Sequence, residues 1–370
     1  MARARHPHRS PDERMMALAL SLARRGAGRT SPNPAVGAVV VKAGRIVGEG
    51  FHRRAGGPHA ELIALRRAGV RARGATLYVT LEPCAHYGRT PPCADAVIRA
   101  GITRVVAAAD DPNPLVSGRG YRTLRRAGVR VRTRVLAAEA RRLNPGFEKA
   151  MRTGQPYVVA KIAQSLDGKI AAAGGQSKWI TGAAARRLSH RWRAESDAVM
   201  VGINTVLRDD PRLSARVGAS RQPLRVIVDS RLRTPVRARC LAGGAAVVAA
   251  CVRRPAAEAA LRRRGASVVY APGRGGRVSL RALGRILVRR GVRRVLLEGG
   301  GELLAGALAE RVVDEVRWWI APVLLGGRRS PSAVGGAGAP TLARAVRLSS
   351  CTVTRAGRDW CVTGRVRYPL

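Results

Sequence analysis

Three observations predict that this chain folds as two successive α/β domains. Its 370 residues exceed one ordinary core, at about 100–200 residues per domain. Short apolar runs alternate with amphipathic stretches of about ten residues, the pattern of helices layered on a sheet. The alternation is punctuated by Asn144-Pro145-Gly146, a turn-forming cluster that divides the chain into residues 1–146 and 147–370.

In the first part, residues 12–25 read as an amphipathic helix, and 36–42 with 45–51 as a hairpin across Ala43-Gly44. Helix 59–68, strand 75–81, helix 92–100, strand 103–109, helix 119–127, strand 129–134 and helix 136–144 follow. After the breaker come strand 157–163, helix 182–194, strands 197–202, 224–228 and 245–250, helix 279–290, strand 293–297, helix 301–309 and strand 315–321. Residues 326–340, rich in Gly, Pro and Ser, read as a flexible loop.

Composition excludes several classes of protein. Apolar residues make up 46% and charged residues 25%, which is ordinary for a globular chain and excludes disorder over most of the length. No uncharged apolar run reaches the roughly 18 residues of a membrane span. Residues 15–23 are apolar but lie between Asp12-Glu13 and Arg24-Arg25, as an amphipathic helix does and a secretory signal does not. The net charge of +45 attracts phosphates. Its arginines are spread along the whole chain, so it reads as compositional bias, with no specific nucleic-acid partner and no membrane expected. Six cysteines are too few for a disulfide framework, which points to reduced thiols in a cytoplasm. Cys240, Cys251, Cys351 and Cys361 read as packing residues; Cys84 and Cys93 do not.

The strongest chemical signal is Pro58-His59-Ala60-Glu61 followed by Pro83-Cys84 and Pro92-Cys93. One imidazole and two thiolates suit a catalytic zinc, leaving a fourth tetrahedral position for water, whose pKa the metal lowers to about 7. His59 and Glu61, two apart, converge only at a helix start, where Pro58 is well placed. Cys93 also stands at a helix start, where bare N–H groups favour a thiolate. Glu61 is then the base that takes the water proton and returns it to departing ammonia. The H-x-E and P-C elements resemble zinc-dependent nucleobase deaminases. Their common P-C-x-x-C spacing is replaced here by eight residues between the two cysteines.

That longer loop, in TLEPCAHYGRTPPC (80–93), together with TSPNPAVGAVVV (30–41), GEGFHRRAGGPHAEL (48–62) and DPNPLVSGRG (111–120), resembles the deaminase half of the RibD family of riboflavin biosynthesis. The resemblance implies a cytidine-deaminase-like three-layer α/β/α domain. It implies His59, Cys84 and Cys93 as zinc ligands, one zinc per chain, and Glu61 as the proton carrier. Asn33, His52, His86 and Arg89 fall where the family contacts the base and ribose phosphate. Turn capping before Pro34 also explains Asn33, while a dianionic phosphate gives Arg89 a reason to be in the loop.

The second part holds no further metal set. VLLEGGGELL (295–304) is a strand-to-glycine-to-helix junction that lets N–H groups approach a phosphate, although Leu304 breaks the G-x-G-x-x-G pattern. With KIAQSLDGKIA (161–171), SKWITG (177–182) and VGINTVLRDDPRL (201–213), in that order, it resembles the family's reductase half, a dihydrofolate-reductase-like α/β domain using NADPH. By that resemblance Ala163, Trp179, Thr205, Asp209, Ser230, Gly299, Gly300 and Gly301 fall on the NADPH side. Lys161, Ser177, Arg193, Leu213, Arg216 and Glu298 fall on the substrate side, and Lys161 and Asp209 are the candidates for polarising the reacting imine. Plainer readings stand beside these: Trp179 as core, Asp209-Asp210-Pro211 as a turn, the glycines as a simple helix start.

The reactions implied are deamination of 2,5-diamino-6-ribosylamino-4(3H)-pyrimidinone 5′-phosphate and reduction of its ribosyl group, giving 5-amino-6-(5-phosphoribitylamino)uracil. The family also implies a homo-oligomer, a dimer or a tetramer, built through the reductase domain. Two alternatives are weighed against this: a tRNA-type nucleic-acid deaminase and a catalytically dead nucleic-acid-binding protein. The reductase motifs and the long inter-cysteine loop count against the first, and the intact ligand set with Glu61 against the second.

Overall fold

Helix α1 (Pro11–Arg24) begins at a reciprocal cap. Ser10 Oγ accepts the Glu13 N–H at 3.3 Å and Glu13 Oε2 accepts the Ser10 N–H at 2.8 Å, which satisfies two donors that the helix leaves bare. Met16, Ala19, Leu20 and Ala23 form its buried stripe. The structure, a computed structural model, describes residues 9–85, 91–114, 116–216, 222–243 and 245–369. Its contacts divide into one unit ending at Thr153 and another starting at Gly154.

In the first unit, α1 is followed by β1 (Gly37–Lys42), β2 (Arg45–Phe51), α2 (Ala60–Ala68), β3 (Thr76–Val79), α3 (Cys93–Arg99), β4 (Arg104–Ala107), α4 (Arg119–Arg126), β5 (Arg130–Arg132), α5 (Ala137–Leu143) and α6 (Pro145–Thr153). The sheet runs β2-β1-β3-β4-β5, with the first three strands antiparallel to their neighbours and the last three parallel. Two glycines on β2 let α2 settle on one face. A Cβ at Gly48 or Gly50 would stand 2.2 Å from Ala64 O or 2.4 Å from Ala60 O. Gly50 pairs with Ala38, next to Gly37. Because side chains alternate faces along a strand, Gly37 looks the other way, toward Ala19 of α1. The unit is therefore three-layered, α/β/α.

Helix α6 was not expected, because its first residues are the breaker itself. Proline is well tolerated at a first helical position. Asn144 ends α5 and ties the corner to the body, its Oδ1 accepting Ala35 N–H at 2.8 Å and its Nδ2 donating to Ala35 O at 2.9 Å. Phe147 then packs against the first core.

The second unit contains β6 (Tyr157–Ser165), α7 (Ala183–Ala194), β7 (Ala198–Gly202), α8 (Ile203–Asp209), β8 (Leu224–Val228), β9 (Ala246–Ala250), α9 (Pro255–Arg263), β10 (Ala266–Tyr270), α10 (Leu280–Arg289), β11 (Arg294–Glu298), α11 (Gly301–Ala309), β12 (Val313–Ala321), β13 (Arg347–Ala356) and β14 (Asp359–Arg367). Its nine strands run β10-β9-β8-β7-β11-β6-β12-β14-β13, parallel from β10 to β12 and antiparallel beyond. Val, Leu, Ile and Ala side chains of the parallel strands fill a core on each face.

Pattern reading omitted α8, α9, β10, β13 and β14. β13 carries no apolar alternation because it is exposed along almost all its length, and pairing with β14 makes it a strand. The Gly/Pro/Ser segment 326–340 is a loop, as expected, and is tied down over its first half. Asp167 accepts the Leu325 and Gly326 N–H groups just before it, Pro331 O accepts Ile170 N–H, and Ala333 is buried.

Candidate active sites

Helix α2 starts with His59 as its extended N-terminal cap, and Glu61 follows in the first turn. Helix α3 starts at Cys93, whose N–H donates to Cys84 Sγ at 3.3 Å while Ala94 N–H donates to Cys84 O at 3.1 Å. His59 Nδ1 lies 3.1 Å from Cys93 Sγ and 3.7 Å from Cys84 Sγ. The three ligand-capable atoms all lie within 4.8 Å of one another. Two helix starts and the loop after β3 thus deliver one imidazole and two sulfurs to one point.

The electrostatics of this cluster suit a cation. Hydrogen bonds from Cys93 and His59 outweigh burial and bring the Cys84 thiol down to about 4. Cys93, hydrogen-bonded beside that thiolate and buried, is held far up; only a positive charge between them lets both ionise. Glu61 is buried, its pKa raised by desolvation, and its Oε2 has no hydrogen-bond partner. An orphaned buried carboxylate oxygen is costly, and its place beside the three ligands fits a water on a bound zinc.

His59, Glu61 and Cys84 line a cavity of about 420 Å³ that also takes in Asn33, His52, Asp111 and Asn113. His52 stands edge-on to His59, ring centroids 5.4 Å apart. Its Nδ1 lies 3.0 Å from Pro58 O, which can only accept, so Nδ1 carries the proton and Nε2 accepts from Asn33 Nδ2 at 3.3 Å. Burial lowers the His52 pKa and keeps the ring neutral. His86 and Arg89 lie outside the described residues.

Two functional positions here were missed in the sequence. Glu82, buried beside Pro83-Cys84, accepts backbone N–H groups from Asp111 (3.3 Å), Gly118 (3.0 Å), Gly120 (3.0 Å) and Tyr121 (3.4 Å). It clamps the 111–121 segment to the ligand loop, and Gly120 is so close that a Cβ would lie 1.9 Å from Pro83 O. Asp111 forms cavity wall, and burial pushes its carboxyl up to about 7 although it accepts the Asn113 N–H at 2.8 Å. Both sit inside quoted motifs; the signal was a carboxylate flanking each.

In the second unit the chain crosses the sheet outward from β7 to β10, then returns to insert β11 between β7 and β6. Ligands of open α/β sheets bind at carboxyl strand ends where the order reverses in this way. Glu298 ends β11 and pairs in register with Lys161 of β6. Arg193, from α7, donates Nε and Nη2 to Glu298 at 2.6 and 2.8 Å and Nη1 to Ser214 O at 3.2 Å. Lys161 Nζ is 3.8 Å from Glu298 Oε2. Burial would raise Glu298, but Arg193 and then Lys161 outweigh it and bring the carboxyl to about 2. Lys161 is lowered by its burial, beyond what Glu298 restores.

Most of the residues expected on the cofactor side stand toward or just past the carboxyl ends of strands of this sheet. Ala163 is on β6, Thr205 and Asp209 on α8, Ser230 just past β8, Gly299 and Gly300 between β11 and α11, and Gly301 first in α11. Ser177 Oγ donates to Asp209 Oδ1 at 3.3 Å. Trp179 is not core: its side chain is 66% exposed, with the Arg186 guanidinium 4.4 Å over the ring. Ser230 Oγ already accepts Val278 N–H at 3.2 Å. Leu213 points into the core, so only its backbone can meet a ligand. Arg216 is exposed.

The glycine junction fits a phosphate-bearing cofactor. A Cβ would lie 2.9 Å from Leu303 at Gly299 and 2.7 Å from Ser332 O at Gly301, while Gly300 faces open space. The backbone is bare where α11 offers its first N–H groups. Of the remaining cysteines, Cys240 and Cys361 are buried, Cys251 is half-buried, and Cys351 is exposed, so it is not the packing residue expected.

Comparison with known proteins covers both units. Residues 156–362 match the model of the RibD C-terminal domain, and residues 9–109 that of the cytidine and deoxycytidylate deaminase zinc-binding region. The riboflavin biosynthesis protein RibD of Aquifex aeolicus is 43% identical over 353 residues, 95% of this chain and 97% of that one. That of Escherichia coli is 45% identical over 329 residues, 85% of this chain and 89% of that one. The solved Acinetobacter baumannii RibD superposes with a TM-score of 0.88 at 41% identity, covering 96% and 99% of the two chains. A Thermotoga maritima diaminohydroxyphosphoribosylaminopyrimidine deaminase/5-amino-6-(5-phosphoribosylamino)uracil reductase gives 0.81 at 35%, covering 96% and 98%.

Proposed function

The chain belongs to the RibD family, bifunctional enzymes of riboflavin biosynthesis with a zinc-binding deaminase domain and an NADPH-using reductase domain, and from that premise we propose how its residues divide the two reactions. The first unit is the deaminase and acts on 2,5-diamino-6-ribosylamino-4(3H)-pyrimidinone 5′-phosphate. The second reduces the ribosyl group of the deaminated product to ribityl.

In the deaminase, His59, Cys84 and Cys93 would hold the zinc, which when bound acidifies a water. Glu61 Oε2, without an internal partner, takes the water proton and returns it to the leaving amino nitrogen. That orphaned oxygen beside the ligand cluster is the observation that carries the reading. His52, neutral and fixed by Pro58 O, orients Asn33 so that its amide oxygen faces the cavity and the base. His86 and Arg89 receive the ribose phosphate.

In the reductase, Gly299–Gly301, Ala163, Trp179, Thr205, Asp209 and Ser230 would hold NADPH, the hydride donor. Lys161, its amine unsettled by burial, delivers a proton at Nζ to the atom on which negative charge develops. Glu298 holds Lys161 and Arg193 in place. The Arg193 fork is taken up by Glu298 and Ser214 O, which leaves exposed Arg216 to meet the substrate phosphate, while Ser177 and the Leu213 backbone bind elsewhere on the same substrate. A nucleic-acid substrate is not favoured, because it leaves the second unit without a task.

Purified protein with zinc, the diaminopyrimidinone phosphate and NADPH is expected to release ammonia and then oxidise NADPH; silence in both signals sinks the reading. Self-association through the reductase unit is supported by β13, an outer strand with one unpaired edge, where Val353 and Leu348 are exposed; Val353→Lys should lower the mass measured by light scattering. No helix among the described residues is long and apolar enough to cross a membrane. A reducing cytoplasm suits an enzyme whose Cys84 and Cys93 must stay unoxidised.

A further inference from the structure

Arg225, the second residue of β8, is an interior arginine, only 5% exposed. Its Nη1 donates to Ala242 O at 2.5 Å. A guanidinium carries five donors and stays charged in proteins. A buried charge is ordinarily paired, as Arg193 is by Glu298. Among the described residues no ion pair includes Arg225. Burial lowers its pKa, with only the Cys240 sulfur acting the other way.

Arg225 lines a cavity of about 350 Å³, and so do two further arginines, Arg212 and Arg239. Neither of these has a carboxylate partner among the described residues. The carboxylate of Asp210 accepts the Arg239 backbone N–H at 2.8 Å. Ser214, Gln222, Pro223, Ala242 and Gly243 complete the wall, and the Gln222 amide is occupied by both backbone groups of Ala215. Three cationic side chains thus line the cavity, and of its acceptors the Ala242 and Ser214 carbonyls and the Gln222 amide oxygen are already in use.

The cavity shares Ser214 with the reductase cleft, through the carbonyl that accepts Arg193 Nη1, but its interior arginine stands elsewhere. Arg225 and Ala242-Gly243 stand at the amino ends of β8 and β9, whereas Glu298, Gly299 and Ser230 stand at carboxyl strand ends. Surplus positive charge alone explains exposed arginines anywhere on this chain. It does not explain one on a core strand, aimed at a cavity walled by two more.

We propose that Arg212, Arg225 and Arg239 form a further anion site, outside the His59/Cys84/Cys93 cluster and the Lys161/Arg193/Glu298 triad, for a small phosphate-bearing molecule such as a phosphate monoester or a diphosphate. Paired arginine forks bind phosphate oxygens bidentately, and the volume lies in the range of small-molecule sites rather than of a nucleic-acid groove.

The test uses the full chain loaded with zinc and saturating NADPH, titrated with inorganic phosphate and with pyrophosphate by calorimetry and thermal melting. Saturable binding and a raised melting temperature are expected in the presence of NADPH. The Arg212→Gln/Arg239→Gln double variant, altered only at exposed side chains, should weaken binding at least about tenfold, since each charged hydrogen bond is worth about that factor. Arg225→Met should abolish binding while melting, without ligand, no lower than the parent, because it removes an unpaired interior charge. Absence of binding, loss of it to NADPH, or equal binding by the double variant overturns the proposal. Tighter displacement of pyrophosphate by a single-stranded oligonucleotide overturns it too, by making the surface a nucleic-acid one.

Discussion

Replacing Glu82 by Gln probes whether one buried carboxylate organises the deaminase site from outside it. One oxygen accepts the Asp111 and Gly118 N–H groups and the other those of Gly120 and Tyr121. Glutamine keeps a single acceptor oxygen, so whichever way it turns, one 3.0 Å bond and one longer bond are replaced by an amide N–H facing two donors. Each buried N–H left orphaned costs about 1–3 kcal/mol, hence about 2–6 kcal/mol for the pair. For a unit of this size each kcal/mol lowers the melting point by about 2–4 °C, so the first unit should melt at least about 4 °C lower. The clamp borders Cys84 and carries Asp111, so ammonia release should fall as well. NADPH oxidation on the deaminated intermediate belongs to the other unit and should not change. Differential scanning calorimetry and the two activity assays read all three. A Glu82→Gln protein that melts with the parent and deaminates at its rate would refute the clamp.

Glu61→Gln keeps the shape of the buried side chain but removes its proton-carrying oxygen, and ammonia release should drop by about 10²–10⁴-fold, with NADPH oxidation on the deaminated intermediate retained. Stripping zinc with a strong chelator should abolish ammonia release, spare reduction, and lower the melting point of the first unit, because a metal that binds only the folded state stabilises it. Glu298→Gln leaves Arg193 and Lys161 without their counter-charge, and breaking such a pair costs about 3–5 kcal/mol near neutral pH. The folded Glu298 carboxyl is depressed to about 2 from an ordinary 4.5. Its contribution is therefore complete above about pH 4.5 and fades as pH falls toward 2. Urea unfolding across that range should show parent and variant converging in acid; a gap that widens there contradicts the assignment.

The sequence by itself carried the order of the two α/β units, the hairpin, most of the parallel strands and the metal-ligand set. The reason is local: strand and helix periods, Pro58 and Pro92 before two helix starts, and residue types whose chemistry needs no neighbours to be named. Tertiary structure decided the rest. Whether His59, Cys84 and Cys93 meet depends on Gly48 and Gly50 letting α2 lie flat on the sheet. Glu82 looks like any motif acid until a loop some thirty residues later brings it four N–H groups. β13 is a strand only because β14 pairs with it. Lys161, Arg193 and Glu298 become one charged group only when β11 enters the sheet between β7 and β6. Each of these rests on a contact between distant segments, and a hydrogen bond or ion pair of that kind leaves no period or local propensity in the chain to be read.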